Sequence, residues 1–163
     1  MEYNFIQDDI VVKIARTGKE FEDGCGLFRR YAQTLDLDLG FQNFPEELEK
    51  IDQLYNKPGG ALLIAYKDEI AIGCVAVREQ IPETAELKRL YVHEDYRNYK
   101  IGRKLLDLSI GIAKELGYKS IRLDTLPNQT EAQRLYRSFG FYEIAAYRYN
   151  PVPGTVYMEK KLD

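Results

Sequence analysis

The chain has 163 residues, 45% of them hydrophobic and 30% charged, and carries a net charge of −3. That length fits one domain spanning residues 1–163, and the composition excludes disorder. The acidic balance argues against a general nucleic-acid binder, which gains affinity by replacing phosphate counterions with Lys and Arg. The N-terminal Met-Glu-Tyr-Asn-Phe-Ile-Gln-Asp-Asp has neither a basic nor an apolar leader region. No window approaches the roughly eighteen uncharged apolar residues of a membrane span. A cytoplasmic protein with no membrane partner is expected.

In chain order, Ile10 to Ala15 reads as a strand, and Thr17 followed by Glu20 is a capping-box signal for a helix carrying Phe21, Cys25, Phe28, Ala32 and Leu35 at helical spacing. Asn43, Pro45 and Glu46 open a second helix with Leu48, Ile51 and Tyr55 on one face, ending before Lys57-Pro58-Gly59-Gly60. Ala61 to Tyr66 and Ile70 to Arg78 form a hairpin around Lys67-Asp68-Glu69. After a loop containing Pro82, Glu86 to Val92 is a strand. Ile101, Leu105, Leu108, Ile112 and Leu116 then form an apolar helical stripe that Gly117 ends. Ser120 to Leu126 is a strand and Thr130 to Phe139 a helix closed by Gly140. Phe141 to Tyr149 and Thr155 to Lys160 finish as strands around Asn150-Pro151-Val152-Pro153-Gly154. The order gives a mixed α/β (α+β) sheet, and the strand-helix-strand run from Glu86 to Leu126 requires a right-handed crossover and one parallel pair.

Few chemistries have material. Cys25 and Cys74 lack CxxC spacing and read as buried free thiols, and His93 is the single histidine, beside Glu94 and Asp95 in what reads as an exposed loop. No metal site is expected. Gly24-Cys25-Gly26 lies inside a predicted helix and lacks the third glycine of a dinucleotide loop. One local feature stands out: Lys88, Arg89, Arg97, Lys100, Arg103 and Lys104 concentrate positive charge in a mildly acidic chain, as a small polyanionic ligand or a solvated face would require. The helix that starts near Gly102 presents unpaired N–H groups and a partial positive charge at its N-terminus, which suits a pyrophosphate.

Here the residues resemble a known family. Arg97-x-x-Lys100-x-Gly102 is similar to the acetyl-CoA pyrophosphate loop of the GNAT superfamily of N-acetyltransferases, usually written Q/R-x-x-G-x-G/A, with Lys100 in place of the first glycine. Lys100 must therefore adopt a conformation tolerated by a side chain, or the loop takes a slightly different path. Downstream, Ala132-x-x-Leu135-Tyr136-x-x-x-Gly140-Phe141 has the spacing of the family's later helix and following strand, with Gln129 where an asparagine often stands and Asn128 one residue earlier. The two motifs lie in family order between Glu86 and Phe141, and the Asn150-Pro-Val-Pro-Gly-Thr-Val-Tyr ending resembles that of small bacterial members.

The resemblance implies an acyl-CoA N-acyltransferase fold: a mostly antiparallel mixed sheet with a central parallel pair, flanked by helices. It implies acetyl-CoA as co-substrate and no metal. Leu90, Tyr91 and Val92 would pair with pantetheine along a bulged, splayed strand. Arg97, Asn98, Tyr99, Lys100, Ile101, Gly102, Arg103 and Lys104 would surround the phosphates, and Asn128, Gln129, Ala132 and Tyr136 would complete the cofactor contact. Tyr136 would be the general acid that returns a proton to the departing thiolate, and Glu86 the base that deprotonates the attacking amine, directly or through water; pairing of Glu86 with Lys88 or Arg89 is the competing reading. The acceptor would be a small-molecule or peptide amine, drawn by Asp36, Asp38 or Glu46 and walled by Phe41, Tyr147 or Tyr149. A homodimer is compatible with this reading. The rival is an acyl-CoA-binding sensor module without turnover.

Overall fold

The capping box at Thr17 forms: the Thr17 hydroxyl accepts from the Glu20 N–H at 3.2 Å, and Glu20 Oε1 accepts from the N–H groups of Arg16 and Thr17 at 2.8 and 3.0 Å. The computed structural model describes the backbone of residues 2–5 and residues 9–35 and 43–163. Asp36, Asp38 and Phe41 lie outside the described residues.

The elements are β1 (Glu2–Phe5), β2 (Ile10–Ile14), α1 (Gly18–Leu35), α2 (Phe44–Glu49), α3 (Ile51–Leu54), β3 (Ala61–Lys67), β4 (Ile70–Ile81), β5 (Thr84–Val92), a 3-10 turn (Glu94–Tyr99), α4 (Ile101–Glu115), β6 (Ser120–Thr125), α5 (Thr130–Ser138), β7 (Tyr142–Ile144) and β8 (Val156–Lys161). One sheet holds all these strands in the order β1-β2-β3-β4-β5-β6-β8-β7, antiparallel throughout except for β5 and β6. The expected mixed sheet with one parallel pair is therefore present. Gly117 and Gly140 follow α4 and α5 with φ of 94° and 91°, the left-handed stops predicted for them.

The sheet is covered on both faces. Leu63, Ala65, Val75, Leu87, Ile121 and Leu123 pack with Ile101, Leu105, Leu106 and Ile112 of α4. Leu62, Ile64, Cys74 and Ala76 pack with Phe21, Leu27 and Phe28 of α1 and with Ile51 and Tyr55. Burial on both faces is why β3 reads as an unbroken apolar run. A Cβ on Gly24 would stand 2.6 Å from Leu62 Cδ2, so glycine lets α1 lie close on the sheet.

Five expectations need correction. The second predicted helix is two short ones broken at Lys50. The loop at Pro82 is a two-residue turn, because β4 runs to Ile81 and β5 starts at Thr84, with Glu83 at φ 69°. The strand predicted from Phe141 to Tyr149 is only Tyr142–Ile144, because the chain then turns inward and Tyr147 donates to Glu86 at 2.8 Å. Of the thiols, Cys74 is fully buried but Cys25 is only half-buried. His93 is also half-buried, with Nδ1 accepting from the Asp95 N–H at 3.2 Å at the head of the 3-10 turn.

No described helix is long and apolar enough to cross a membrane. Among the described residues no group of three or more His, Cys, Asp and Glu could hold a metal ion.

Candidate active site

A single inserted residue shapes the site. Facing β4, the register of β5 slips between Cys74↔Tyr91 and Ala76↔Lys88, and Arg89 sits there at φ 61°. This is a β-bulge. Because side chains alternate along a strand, the extra residue changes which face each later residue meets: Leu87 packs on the α4 side before it, and Leu90 and Val92 do so after it, while Tyr91 turns to the α1 side. Two interactions hold the bulge. The Cys74 thiol, which burial keeps protonated, donates to the Arg89 carbonyl at 3.3 Å. The Arg89 guanidinium donates to both oxygens of Glu47, at 2.6 and 3.2 Å, and Glu47 also accepts from Tyr55 Oη at 2.6 Å. Burial alone would raise the Glu47 pKa; Arg89's hydrogen bonds and charge outweigh it and hold the carboxyl below its usual value.

Beyond the bulge, β5 leaves its parallel neighbour. Pairing with β6 covers only Thr84↔Ser120, Ala85↔Ile121 and Glu86↔Arg122, so the two strands fork. The angle of the fork is a narrow throat of about 60 Å³ lined by Tyr31, Leu87 to Leu90, Leu123 to Leu126, Gln129, Ala132, Tyr136 and Asn150. It continues into a groove of about 630 Å³ lined by Leu90, Tyr91, Val92, Arg97, Lys100, Gly102, Arg103, Asn128, Gln129 and Ala132.

The sequence-predicted residues fall into place around these two spaces. Arg97 is oriented by donation from its Nε to the Val92 carbonyl at 3.0 Å, and Arg103 lies over the Phe139 ring at 4.9 Å. Lys100 is the left-handed N-cap of α4, at φ 58° and ψ 29°. A Cβ on Gly102 would meet only Val92 Cγ2, at 3.7 Å, so an added side chain would enter the groove rather than the protein. Gln129 Oε1 accepts from Thr125 Oγ1 and from the Leu126 N–H at 3.1 and 2.9 Å, which fixes the entry to α5. Four of the cofactor-contact residues named from the sequence do not line either space: Asn98, Tyr99, Ile101 and Lys104. Ile101 is fully buried in the core, and Tyr99 lies 5.2 Å beneath Lys67 Nζ.

Tyr136 lines the throat and is 6% exposed. Burial, then the neighbouring Tyr31 and Asp124, push its phenol well above the usual tyrosine value, so it stays protonated. Glu86 is 3% exposed and lies below the throat, where it pairs with Arg148 and accepts from Tyr147. Its expected alternative partners are otherwise engaged or placed: Arg89 is bound to Glu47, and Lys88 faces the throat. The sequence alone groups Lys88 and Arg89 with the phosphate cluster; in the fold neither lines the groove, Lys88 facing the throat and Arg89 being bound to Glu47. Nor does it reveal Tyr31, Asp124 and Asn150 in the throat. Only the alternation of β6 could have pointed to Asp124, since Leu123 and Thr125 are buried on the other face. Glu46 is exposed, and the inward carboxylate of α2 is Glu47. Tyr149 is 76% exposed.

The left-handed Lys100 gives a direct stability test. Relief of roughly 1 kcal/mol from the strained backbone in Lys100→Gly is offset by roughly 0.5–1 kcal/mol of unfolded-chain entropy. Denaturant unfolding should therefore find Lys100→Gly within about 0.5 kcal/mol of the wild type, and Lys100→Val, a β-branched residue at positive φ, more than about 1 kcal/mol less stable.

The unpaired edge of β5, the first-turn N–H groups of α4 and the open cradle at Gly102 fit the pantetheine and pyrophosphate of a CoA ester. Comparison with known proteins agrees. Residues 28–141 match the family model described as the Acetyltransferase (GNAT) family. The chain is similar to an uncharacterised N-acetyltransferase of Schizosaccharomyces pombe, 38% identical over 157 residues that cover 94% of this chain and 96% of the relative. Among solved structures, an acetyltransferase of Streptococcus agalactiae superposes with a TM-score of 0.80 at 21% identity, over 96% of this chain and 100% of that one. The yncA protein of Salmonella typhimurium, solved with its cofactor acetyl-CoA, superposes with a TM-score of 0.69 at 16% identity, over 95% of each chain. The forked, bulged strand thus has the relatives its geometry calls for, and the chain belongs to the acetyltransferase (GNAT) family as an acetyl-CoA-dependent acyltransferase.

Proposed function

We propose that the protein transfers the acetyl group of acetyl-CoA to a primary amine by direct attack, with both substrates bound at once. The observation that carries this reading is the continuity of groove and throat: Leu90, Gln129 and Ala132 line both, so a thioester entering along β5 would arrive beside Tyr136.

Acetyl-CoA supplies the acyl group as an activated thioester; the chain supplies orientation and proton management. Leu90 to Val92 offer free backbone groups to pantetheine, and Arg97, Lys100, Arg103 and the N-terminus of α4 hold the phosphates, with Asn128 at the rim. An amine with a pKa of roughly 10 arrives protonated and must lose a proton to attack. Asp124 lines the throat and is the carboxylate we assign to take it. Tyr136 Oη–H protonates the leaving sulfur as the C–S bond breaks, and regains a proton from the nitrogen as the C–N bond becomes an amide. A backbone N–H at the bulge polarises the thioester carbonyl. Glu86 as base through water is a second reading. It is favoured by burial at the foot of the fork and opposed by its engagement with Arg148 and Tyr147, which occupies the carboxylate and fixes the floor of the acceptor side.

The test is thiol release from acetyl-CoA with panels of amino acids, polyamines, aminoglycosides and peptide N-termini. Acceptor-dependent release with an acetylated product confirmed by mass is the expected result. Thermal stabilisation by acetyl-CoA with no turnover on any panel would instead favour the sensor module.

A further inference from the structure

Continuing the parallel register two residues past its last pair, Glu86↔Arg122, brings Lys88 of β5 opposite Asp124 of β6, on the same face of the sheet as that pair. The fork opens at that point, and the two side chains line the throat without forming an ion pair with each other. Lys88 is 8% exposed, and among the described residues no hydrogen bond or ion pair engages its ammonium. Glu47 and Asp124 act on it favourably from a distance, but neither touches it. Arg89 beside it is positive and already bound to Glu47, and Arg78 adds to the repulsion. Burial first, then Arg89, draws the Lys88 ammonium down to about 8. Among the described residues Asp124 has one weak side-chain partner, Asn150 Nδ2 at 3.5 Å, and Asn150 is itself fixed by its Oδ1 accepting from the Val152 N–H at 2.9 Å.

A buried cation and a carboxylate that face each other across a gap, rather than touching, leave two opposite charges for something else to satisfy. Buried charges are otherwise paired, because desolvation without a partner is costly. We propose that the acceptor is a small amino-carboxylate, an α-amino acid in its simplest form, whose ammonium sits on Asp124 and whose carboxylate sits on Lys88. The arrangement fits this class in three ways. The two charges stand on the diverging strands, so one ligand that carries both signs bridges the fork. Asp124 lines the same throat as Tyr31 and Tyr136, which puts the ammonium end near Tyr136, where the thioester would arrive. The throat is narrow, which suits a short amino-carboxylate end. The Asn150-Pro turn at the C-terminal end contributes as well, since Asn150 steadies Asp124 in the fork.

This inference rests on the acyl-transfer reading, and the experiment separates the two. Thiol release from acetyl-CoA is measured for matched pairs: L-alanine and ethylamine, L-leucine and isopentylamine, L-phenylalanine and phenethylamine. In the wild type, kcat/KM should be at least about 30-fold higher for the better amino acids than for their decarboxylated partners, a discrimination of the size expected when a buried charge is left unpaired. In Lys88→Met that ratio should collapse toward one, mainly through KM for the amino acid, with acetyl-CoA still raising the thermal midpoint as a check on folding. Asp124→Asn should lower kcat on every amine. Amines accepted as well as amino acids, with no change of ratio in Lys88→Met, would overturn the amino-carboxylate and leave acyl transfer standing. If no pair turns over at all, calorimetry of the amino acids with the wild type and Lys88→Met decides: binding lost in the variant supports the site, and no binding to the wild type overturns it.

Discussion

Tyr136→Phe should lower kcat about 100-fold while leaving the affinity for acetyl-CoA within about twofold of the wild type, the loss expected for removing a positioned general acid. Burial is the first ground. Tyr136 packs its ring 5.8 Å from that of Phe141 in the core under α5, and among the described residues its hydroxyl has no hydrogen-bond partner. A phenol held for packing alone would gain from losing an unpaired polar group, so Phe should keep or raise the thermal midpoint. Lower turnover with unchanged or higher stability is therefore the signature of a group present for chemistry. The raised phenol pKa adds a sign: a donor must be protonated, and burial moves deprotonation of Tyr136 upward, so no alkaline fall in kcat below about pH 10 should come from it. An unchanged kcat in Tyr136→Phe would remove Tyr136 as the acid and leave the proton to water.

The parts of this site that could be read from the sequence are those built by local order. The stripe of Ile101, Leu105 and Ile112, the stop at Gly117 and the box at Thr17 each depend on residues within a turn or two, and each forms where the spacing puts it. Arg97, Lys100, Gly102 and Arg103 lie in one short segment that passes from strand to helix, and all four line the groove. The throat is different in kind. Glu47 and Arg89 are 42 residues apart, Glu86 and Tyr147 are 61 apart, and Asp124 and Asn150 are 26 apart. Taken locally, Glu47 is a first-turn helix acid and Asp124 the polar beat of an alternating strand. Neither reading is false; only the register of the sheet turns them inward.

The bulge is the clearest case. Nothing in Lys88-Arg89-Leu90-Tyr91 marks an inserted residue, since the non-glycine that takes the positive φ is an arginine. What stabilises it is the carboxylate of Glu47, delivered by α2, together with a thiol from the neighbouring strand. The short strand β7 follows the same logic. Tyr142 to Ile144 pair with β8, and the chain then abandons the ladder because Tyr147 and Arg148 have a buried carboxylate to meet.

Breaking the Glu47–Arg89 pair should be the most destabilising single change among these. Arg89→Met is expected to cost about 3–5 kcal/mol at pH 7, because it leaves a carboxylate that is 4% exposed with only the Tyr55 hydroxyl to solvate it. The pH dependence distinguishes this cause from lost packing. In the wild type Glu47 has a depressed pKa, so its contribution to stability is present above the unfolded value and is lost as pH falls through the folded one. Without Arg89, burial dominates and raises the same pKa, so the variant regains stability on acidification as Glu47 takes up a proton. The gap between the two proteins in denaturant unfolding should thus be widest near neutrality and narrow below about pH 5. Glu47→Gln/Arg89→Met removes the orphaned charge and keeps an acceptor for Tyr55, and should recover more than half of the loss. A gap independent of pH, or no recovery in the double variant, would assign the effect to the arginine's packing over the Phe44 ring at 5.4 Å instead. Recovered stability without recovered turnover would show that the ion pair holds the bulge in the one shape that opens the fork. The same two residues would then join the stability of the first helices to the geometry of acyl transfer.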